Sequence, residues 1–178
     1  VKKCLIIVDY QNDFVCGSLG FEKARSLDEK IAAKAEKYRK DGGDVIFTFD
    51  THGEDYLETR EGKFLPVKHC IRGSEGHLLY GVTGEQKKET DLCFEKVSFG
   101  SDELYEYLKK NKYDLIELCG VVTNICVISN AILAKTAQPE CDVTVDKACV
   151  ASNDETLNEA ALKVMASLQI EIDDGNEE

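Results

Sequence analysis

The stretch DLIELCGVVTNICV, Asp114 to Val127, decides how the chain is read. Its first half, DLIELCG, is a short apolar run of the kind that forms a buried strand. Gly120 and the Thr123–Asn124 pair interrupt it, and a helix is expected from about Asn124 to Ala137. A strand that passes through a tight turn into a helix is half of a βαβ unit, the building block of parallel sheets. If Thr123 caps that helix, Cys126 falls in its first turn.

Working outward, the same alternation recurs. CLIIVD (Cys4–Asp9) and DVIFTFD (Asp44–Asp50) read as strands, with the helical pattern ARSLDEKIAAKAEKYRKDGG between them. That helix places Ile31, Ala35 and Tyr38 on one face and stops at Gly42-Gly43. DLCFEKV (Asp91–Val97) is a third strand, followed by a short helix capped by Ser101. After DLIELCG come a fifth strand in CDVTVDKACV (Cys141–Val150) and a last helix in SNDETLNEAALKVMASL. Ser152 and Glu155 have capping-box spacing there. LQIEID (Leu168–Asp173) is the sixth strand. Runs such as CLIIV and VIFTF lack polar alternation, as strands covered on both faces do. The expected fold is a three-layer α/β/α domain with a six-stranded, mostly parallel, Rossmann-like sheet. It spans residues 1–178 as one domain, with 173–178 as a solvated acidic tail.

Bulk composition narrows the function classes. Asp and Glu number 34 against 22 Lys and Arg, a net charge of −12. That argues against a nucleic-acid backbone or an anionic membrane as the main partner. No apolar run approaches the ~20 residues that span a bilayer. The opening VKKCLIIVDY starts as a signal peptide does, but Asp9 cuts the apolar run short. A cytoplasmic location is expected. Most of the eight cysteines then read as small buried hydrophobes rather than disulfide partners. Neither G-x-G-x-x-G nor G-x-x-x-x-G-K-[ST] occurs, so no nucleotide cofactor is expected. The G-x-S-x-G nucleophile elbow is absent too.

Ligands of open α/β sheets bind beyond the carboxyl ends of the strands. Those ends deliver Asp9, then Asp50 and His52, then Lys96, then Cys126. A cysteine in the first turn of a helix gains from the dipole, and a neighbouring ammonium lowers its pKa further. Asp9 is placed to accept the thiol proton and return it to a leaving amine. The N–H groups of Cys126 and Val122 suit an oxyanion hole. Plainer readings exist for each residue. A cysteine taken at random reads as a buried helical residue, but the placement of Cys126 turns the reading toward chemistry; Asp9 reads alternatively as a cap for the next turn. Asp13 competes with Asp9 for its role. Lys96, read alone, is a solvated charge after Glu95. The three histidines, His52, His69 and His77, all fall in the long segment from Thr51 to Glu89, which exceeds what a connection needs. Asp50 and His52, with His69 and a carboxylate from Glu58 or Glu61, suit a mixed N/O metal site. Two ordinary loop histidines with a capping Asp50 is the alternative. His77 reads as structural or solvated.

DYQNDF (Asp9–Phe14), FEKVSFGS (Phe94–Ser101) and GVVTNICV (Gly120–Val127) together resemble the signatures of the isochorismatase-like cysteine hydrolases, in order and spacing. The resemblance implies an Asp9–Lys96–Cys126 triad, a cis peptide at Val121–Val122 and a substrate pocket lined by Phe14. FDTHGEDYLETREGKFLPVKHC resembles the nicotinamidase metal segment, which implies Asp50, His52 and His69 as ligands with a carboxylate near Glu61 as the fourth. The implied cofactor is a divalent ion (Zn, Mn or Fe) that holds a pyridine nitrogen. Thr51, Leu65 and Asn124 depart from the usual nicotinamidase pattern, and the chain has no tryptophan. Family members are often oligomeric, so the expected partners are a small amide and further copies of the chain.

The leading expectation is therefore a cysteine amidohydrolase that cleaves a small amide to acid and ammonia through a thioester, nicotinamide first among candidates. One alternative is a metal-independent N-carbamoyl or ureido hydrolase that binds a substrate carboxylate through Arg60 or Arg72. Another is a non-catalytic binding or redox module that uses Cys126 as an oxidisable thiol.

Overall fold

A computed structural model describes residues 1–175. Strands β1 (Lys3–Val8), β2 (Asp44–Asp50), β3 (Leu92–Lys96), β4 (Leu115–Val121), β5 (Asp142–Ala151) and β6 (Glu171–Asp173) form one sheet in the order β3-β2-β1-β4-β5-β6. Every adjacent pair is parallel. The helices are α1 (Asn12–Val15), α2 (Glu22–Arg25), α3 (Asp28–Lys40), α4 (Arg60–Phe64), α5 (Gly81–Glu85), α6 (Asp102–Lys110), α7 (Ile128–Ala137) and α8 (Glu155–Ser167). Alternate residues of β1 divide the core into two layers. Cys4, Ile6 and Val8 pack with Leu104 and Leu108 of α6, Ala131 and Ala134 of α7, and Leu162 and Met165 of α8. Leu5 and Ile7 face the other way, onto Ile31, Ala35 and Tyr38 of α3. Strands β1, β2 and β4 are buried on both faces, which is why they read as apolar runs without alternation; the edge strands β3 and β6 are largely exposed.

Local differences from the sequence reading have local causes. The first helical pattern splits into α2 and α3. The Ser26 hydroxyl bonds back to the Lys23 carbonyl at 2.7 Å, a local bond that competes with helix continuation. Ser101 caps α6 as expected, its Oγ accepting from the Leu104 N–H at 3.1 Å. The capping box at α8 does not form. Asp154 is the cap, accepting from the Leu157 N–H at 3.0 Å, while Ser152 donates to Asn124 at 2.6 Å. The segment from Thr51 to Glu89 carries two 3-10 turns as well as α4 and α5. Asp173 closes β6 rather than opening a tail; residues 176–178 of the expected tail lie outside the described residues.

Beneath α3 lies a buried ionic network. The Lys34 ammonium meets Glu117 of β4 at 2.5 Å and Asp146 of β5 at 2.7 Å, and the Tyr38 hydroxyl donates to Glu117. Burial works to raise the Asp146 pKa, but bonds from Lys34 and Cys149 outweigh it and hold the carboxyl below its usual 3.8. A depressed carboxylate pKa stabilises the fold above the unfolded value and loses that contribution as pH falls through the folded one. Lys34→Ala is expected to cost up to about 3 kcal/mol in urea titrations at neutral pH, the low end for breaking a buried pair. The low end applies because the Lys34 side chain keeps 20% of its surface exposed. Unchanged stability in that variant would show that the network contributes nothing net.

Candidate active site

Register brings the site together. Val8 at the end of β1 pairs with Thr48 of β2 and Gly120 of β4, and Asp50 pairs directly with Lys96. Parallel strands that end level put Asp9, Asp50, Lys96 and the turn after Val121 on one rim. The rim lies where the strand order reverses between β1 and β4, the usual ligand position in such sheets. Gly120 permits the close approach of β4 and β1. Its φ is +110°, and a Cβ there would sit 2.2 Å from the Val8 carbonyl oxygen. Asp9 takes a left-handed φ of 46°, a conformation that Asp tolerates better than most residues.

Lys96 is the hub of the charge cluster. Its Nζ lies 2.7 Å from Asp9 Oδ2 and 3.5 Å from Asp50 Oδ1. It donates to the Ser98 carbonyl at 2.9 Å and meets Cys126 Sγ at 3.4 Å. Asp9 is fully buried and Lys96 is 3% exposed, so the reading of Lys96 as a solvated charge is excluded. Thr48 donates to the other Asp9 oxygen at 2.7 Å. Burial opposes the Lys96 ammonium, but the charges of Asp9, Cys126 and Asp50 outweigh it and raise its pKa. Burial raises the Asp9 pKa against the pull of Lys96. The expected low-pKa thiol is not found. Burial and then the Asp9 charge push the Cys126 thiol well above its ordinary value, and Lys96 offsets this only in part.

The turn that presents Cys126 differs from a simple helix start. Residues Thr123–Val127 form one wide π-type turn ahead of α7, closed by the Val127 N–H on the Val122 carbonyl at 3.2 Å. Thr123 does not cap it; its buried hydroxyl has no hydrogen-bond partner. The peptide joining Val121 to Val122 is cis, as the resemblance implied. Val122 and Cys126 both line a cavity of about 250 Å³, with Phe14, Leu19, Phe21, Leu65, Phe99 and Ile125 as its apolar walls. That is smaller than the ~300–1,000 Å³ of drug-sized sites.

Asp50, Glu61 and His69 close the same cavity. Together with His52 they place one donor atom each within 4.8 Å of one another. His52 Nε2 lies 2.9 Å from Asp50 Oδ2 and 3.8 Å from Glu61 Oε1. His69 Nε2 lies 3.3 Å and 3.6 Å from the same two oxygens. Donors around a tetrahedral ion with ~2.0 Å bonds stand roughly 3.3 Å apart, so the set is close to ligating geometry. His69 Nδ1 lies 2.8 Å from the Val67 carbonyl, which directs the Nε2 lone pair into the cluster. Burial works against a charged His69, yet its bonds to Asp50 and to the Val67 carbonyl raise its pKa; the cluster draws in positive charge. Glu61 reaches it because Thr59 caps α4, accepting from the Gly62 N–H at 3.0 Å. A Cβ on Gly62 would meet the Tyr56 carbonyl oxygen at 1.9 Å, so only glycine lets α4 lie this close. Glu58 is exposed, and the cluster contains Glu61 instead.

Other expected residues fall elsewhere. Asp13 accepts from the Cys70 N–H at 2.8 Å and ties down the backbone next to His69. His77 lies 2.8 Å from the Thr51 hydroxyl, a structural contact. Arg72 pairs with Glu95 at 2.6 Å, and Arg60 lines an outer groove with Lys63 and Phe64; neither lines the cavity. All eight cysteines are free, and only Cys16 and Cys93 are exposed. Among the described residues, no helix is long and apolar enough to cross a membrane. Gln11 was missed by the sequence reading. Buried completely, it accepts from the Asp50 N–H at 2.8 Å and donates to the Asp50 carbonyl at 2.9 Å. One polar side chain two residues past an apolar strand was the only signal for it.

Comparison with known proteins agrees with this geometry. The isochorismatase domain model matches residues 3–175. An isochorismatase family protein of Bacillus subtilis (strain 168) is 31% identical over 147 residues, covering 74% of this chain and 78% of its own. The nicotinamidase/pyrazinamidase of Mycobacterium tuberculosis is 28% identical over 189 residues, with 96% and 97% covered. The crystal structure of a nicotinamidase/pyrazinamidase from Bacillus subtilis superposes with a TM-score of 0.87 at 26% identity, covering 98% of this chain and all of that one. With its all-parallel sheet, its rim of Asp9, Lys96 and Cys126 and this match along nearly its whole length, the chain belongs to the isochorismatase family.

Proposed function

We propose that the protein is a cysteine amidohydrolase that cleaves small amides to acid and ammonia, with nicotinamide as the substrate. The observation that carries this reading is the buried contact of Lys96 with both Asp9 and Cys126, at 2.7 and 3.4 Å. The cavity adds apolar walls and a small volume, which suit a flat ring and leave little room for a larger acyl group. The nicotinamidase names among its relatives point the same way.

In this mechanism the Cys126 thiol passes its proton to Asp9 as sulfur attacks the amide carbon. The N–H groups of Val122 and Cys126 are assigned to the oxyanion. The C–N bond breaks as Asp9 returns the proton to nitrogen, and ammonia leaves. Water, deprotonated by Asp9, then attacks the thioester; the acid departs and the thiol is restored. Lys96 stays protonated throughout and stabilises whichever of Asp9 or Cys126 carries the negative charge. Asp50, His52, Glu61 and His69 would hold a divalent ion, which supplies a Lewis-acid point of attachment for a ring nitrogen. Phe14, packed 5.4 Å from the His69 ring between centroids, would stack against that ring. A cavity lining without arginine weighs against a carboxylate-anchored carbamoyl substrate. A thiol only 6% exposed weighs against a redox sensor, which needs an accessible thiolate.

The test is ammonia release from nicotinamide and a panel of carbamoyl and ureido compounds, by metal-loaded and chelated protein. Release from nicotinamide that chelation cuts by at least about tenfold, and that metal restores, is expected. Turnover of a carbamoyl substrate alone, indifferent to chelation, would replace nicotinamide and remove the metal from the reading.

A further inference from the structure

We propose that Asn130 is a positioning residue that holds the nucleophile turn in register with the loop carrying Lys96 and Phe99. This inference rests on the amidohydrolase reading for its kinetic consequences, though not for its geometry. Asn130 is the third residue of α7 and is completely buried. Its Nδ2 donates to the Cys126 carbonyl at 2.8 Å and to the Phe99 carbonyl at 3.1 Å. Its Oδ1 accepts from the Ser101 N–H at 3.0 Å. All three partners are backbone groups of fixed polarity, so the amide has only one orientation that satisfies them. A buried amide without partners is costly, and so are the backbone groups it would abandon.

What these bonds join is the point. On one side is the residue that presents the thiol. On the other is the five-residue run from Lys96 to Gly100 and the Ser101 cap of α6. Within that run the Ser98 carbonyl receives the Lys96 ammonium at 2.9 Å, and Phe99 forms a cavity wall. The Lys96–Cys126 contact spans two segments thirty residues apart in sequence. Parallel strand pairing sets the level of each strand end but leaves the following loops free to shift. Asn130 supplies the direct cross-link between those loops. Its side chain touches neither Lys96 nor the Cys126 sulfur by these bonds, so its effect is on placement and not on the chemistry itself.

The experiment compares wild type with Asn130→Ala and Asn130→Ser, reading kcat and KM for nicotinamide and the rate at which iodoacetamide modifies Cys126. Alkylation is followed on the Cys126 peptide by mass spectrometry, across pH, well below each variant's melting temperature. The expected result is a kcat lowered on the order of tenfold or more, a KM within about twofold, and an altered alkylation rate and pH profile at Cys126. Asn130→Ser, which keeps one donor, is expected to lie between wild type and alanine; it also serves if the alanine variant does not fold. A lower melting temperature with kcat, KM and Cys126 alkylation unchanged would reduce Asn130 to a structural residue and overturn the proposal. If wild type turns over no amide, the functional reading fails, and the alkylation comparison still decides whether Asn130 places the thiol.

Discussion

Cys126→Ala is expected to abolish amide turnover while the protein folds as before. The side chain is 6% exposed and belongs to the core cluster beneath α7. Removing its sulfur leaves a small void and deprives Lys96 of one contact, but Asp9, Asp50 and the Ser98 carbonyl remain as partners. Losses in kcat from deleting the nucleophile of a coupled catalytic group run to about 10⁶-fold, so ammonia release should fall to the assay limit. Circular dichroism and a melting curve near that of wild type would show that the fold is intact. Cys126→Ser is the sharper companion. A hydroxyl is a far weaker nucleophile in the same place, so this variant too should be nearly inactive. Undiminished turnover in Cys126→Ala would end the covalent mechanism and with it the proposed function.

Asp9→Asn is the second large effect. Asparagine matches the shape and retains an acceptor for the Thr48 hydroxyl now 2.7 Å away. It removes the carboxylate nearest the Lys96 ammonium, at 2.7 Å against 3.5 Å for Asp50, and the larger of the two charges that raise the thiol pKa. Proton transfer by a placed side chain is worth about 10²–10⁴-fold, and kcat should drop by that amount. Asp13→Asn is the control. Asp13 accepts from the Cys70 N–H at 2.8 Å, a role that an amide oxygen can keep, so its kcat should stay within a few-fold of wild type. Equal losses at the two positions would show that Asp9 acts through structure and not as the proton carrier.

Several parts of this site were legible in the sequence because they are tied to strand ends. Asp9, Asp50, Lys96 and the Gly120–Val127 turn each follow an apolar run, and the parallel register brings those carboxyl ends to one rim. The resemblance of three motifs then singled out Lys96, which spacing alone would have left as a surface charge. The capping predictions at Thr123 and Ser152 failed for different reasons: Thr123 opens a π-type turn and its hydroxyl has no partner, whereas Ser152 is taken by a tertiary contact. Ser152 lies beside the nucleophile turn and is drawn to Asn124 at 2.6 Å. A tertiary contact displaced the local cap. The thiol's setting also differs from the sequence reading, since burial opposes the thiolate that a helix start and a nearby lysine favour.

The strand–helix alternation is written in the order of residues, and with it a parallel sheet whose carboxyl ends collect the polar residues. Hydrophobic period and chain breaks are local properties, and they survive folding because both faces of the sheet must be covered. Only the tertiary structure decided which carboxylate joins the histidines. Glu58 and Glu61 differ by less than one helical turn in sequence. The Thr59 cap and the contact of Gly62 with the Tyr56 carbonyl turn Glu61 inward. Only the tertiary structure, too, showed Gln11 and Asn130 gripping the backbone on either side of the site. Their partners are backbone N–H and C=O groups, identical at every position of the chain, so the sequence does not show which of them these side chains grip.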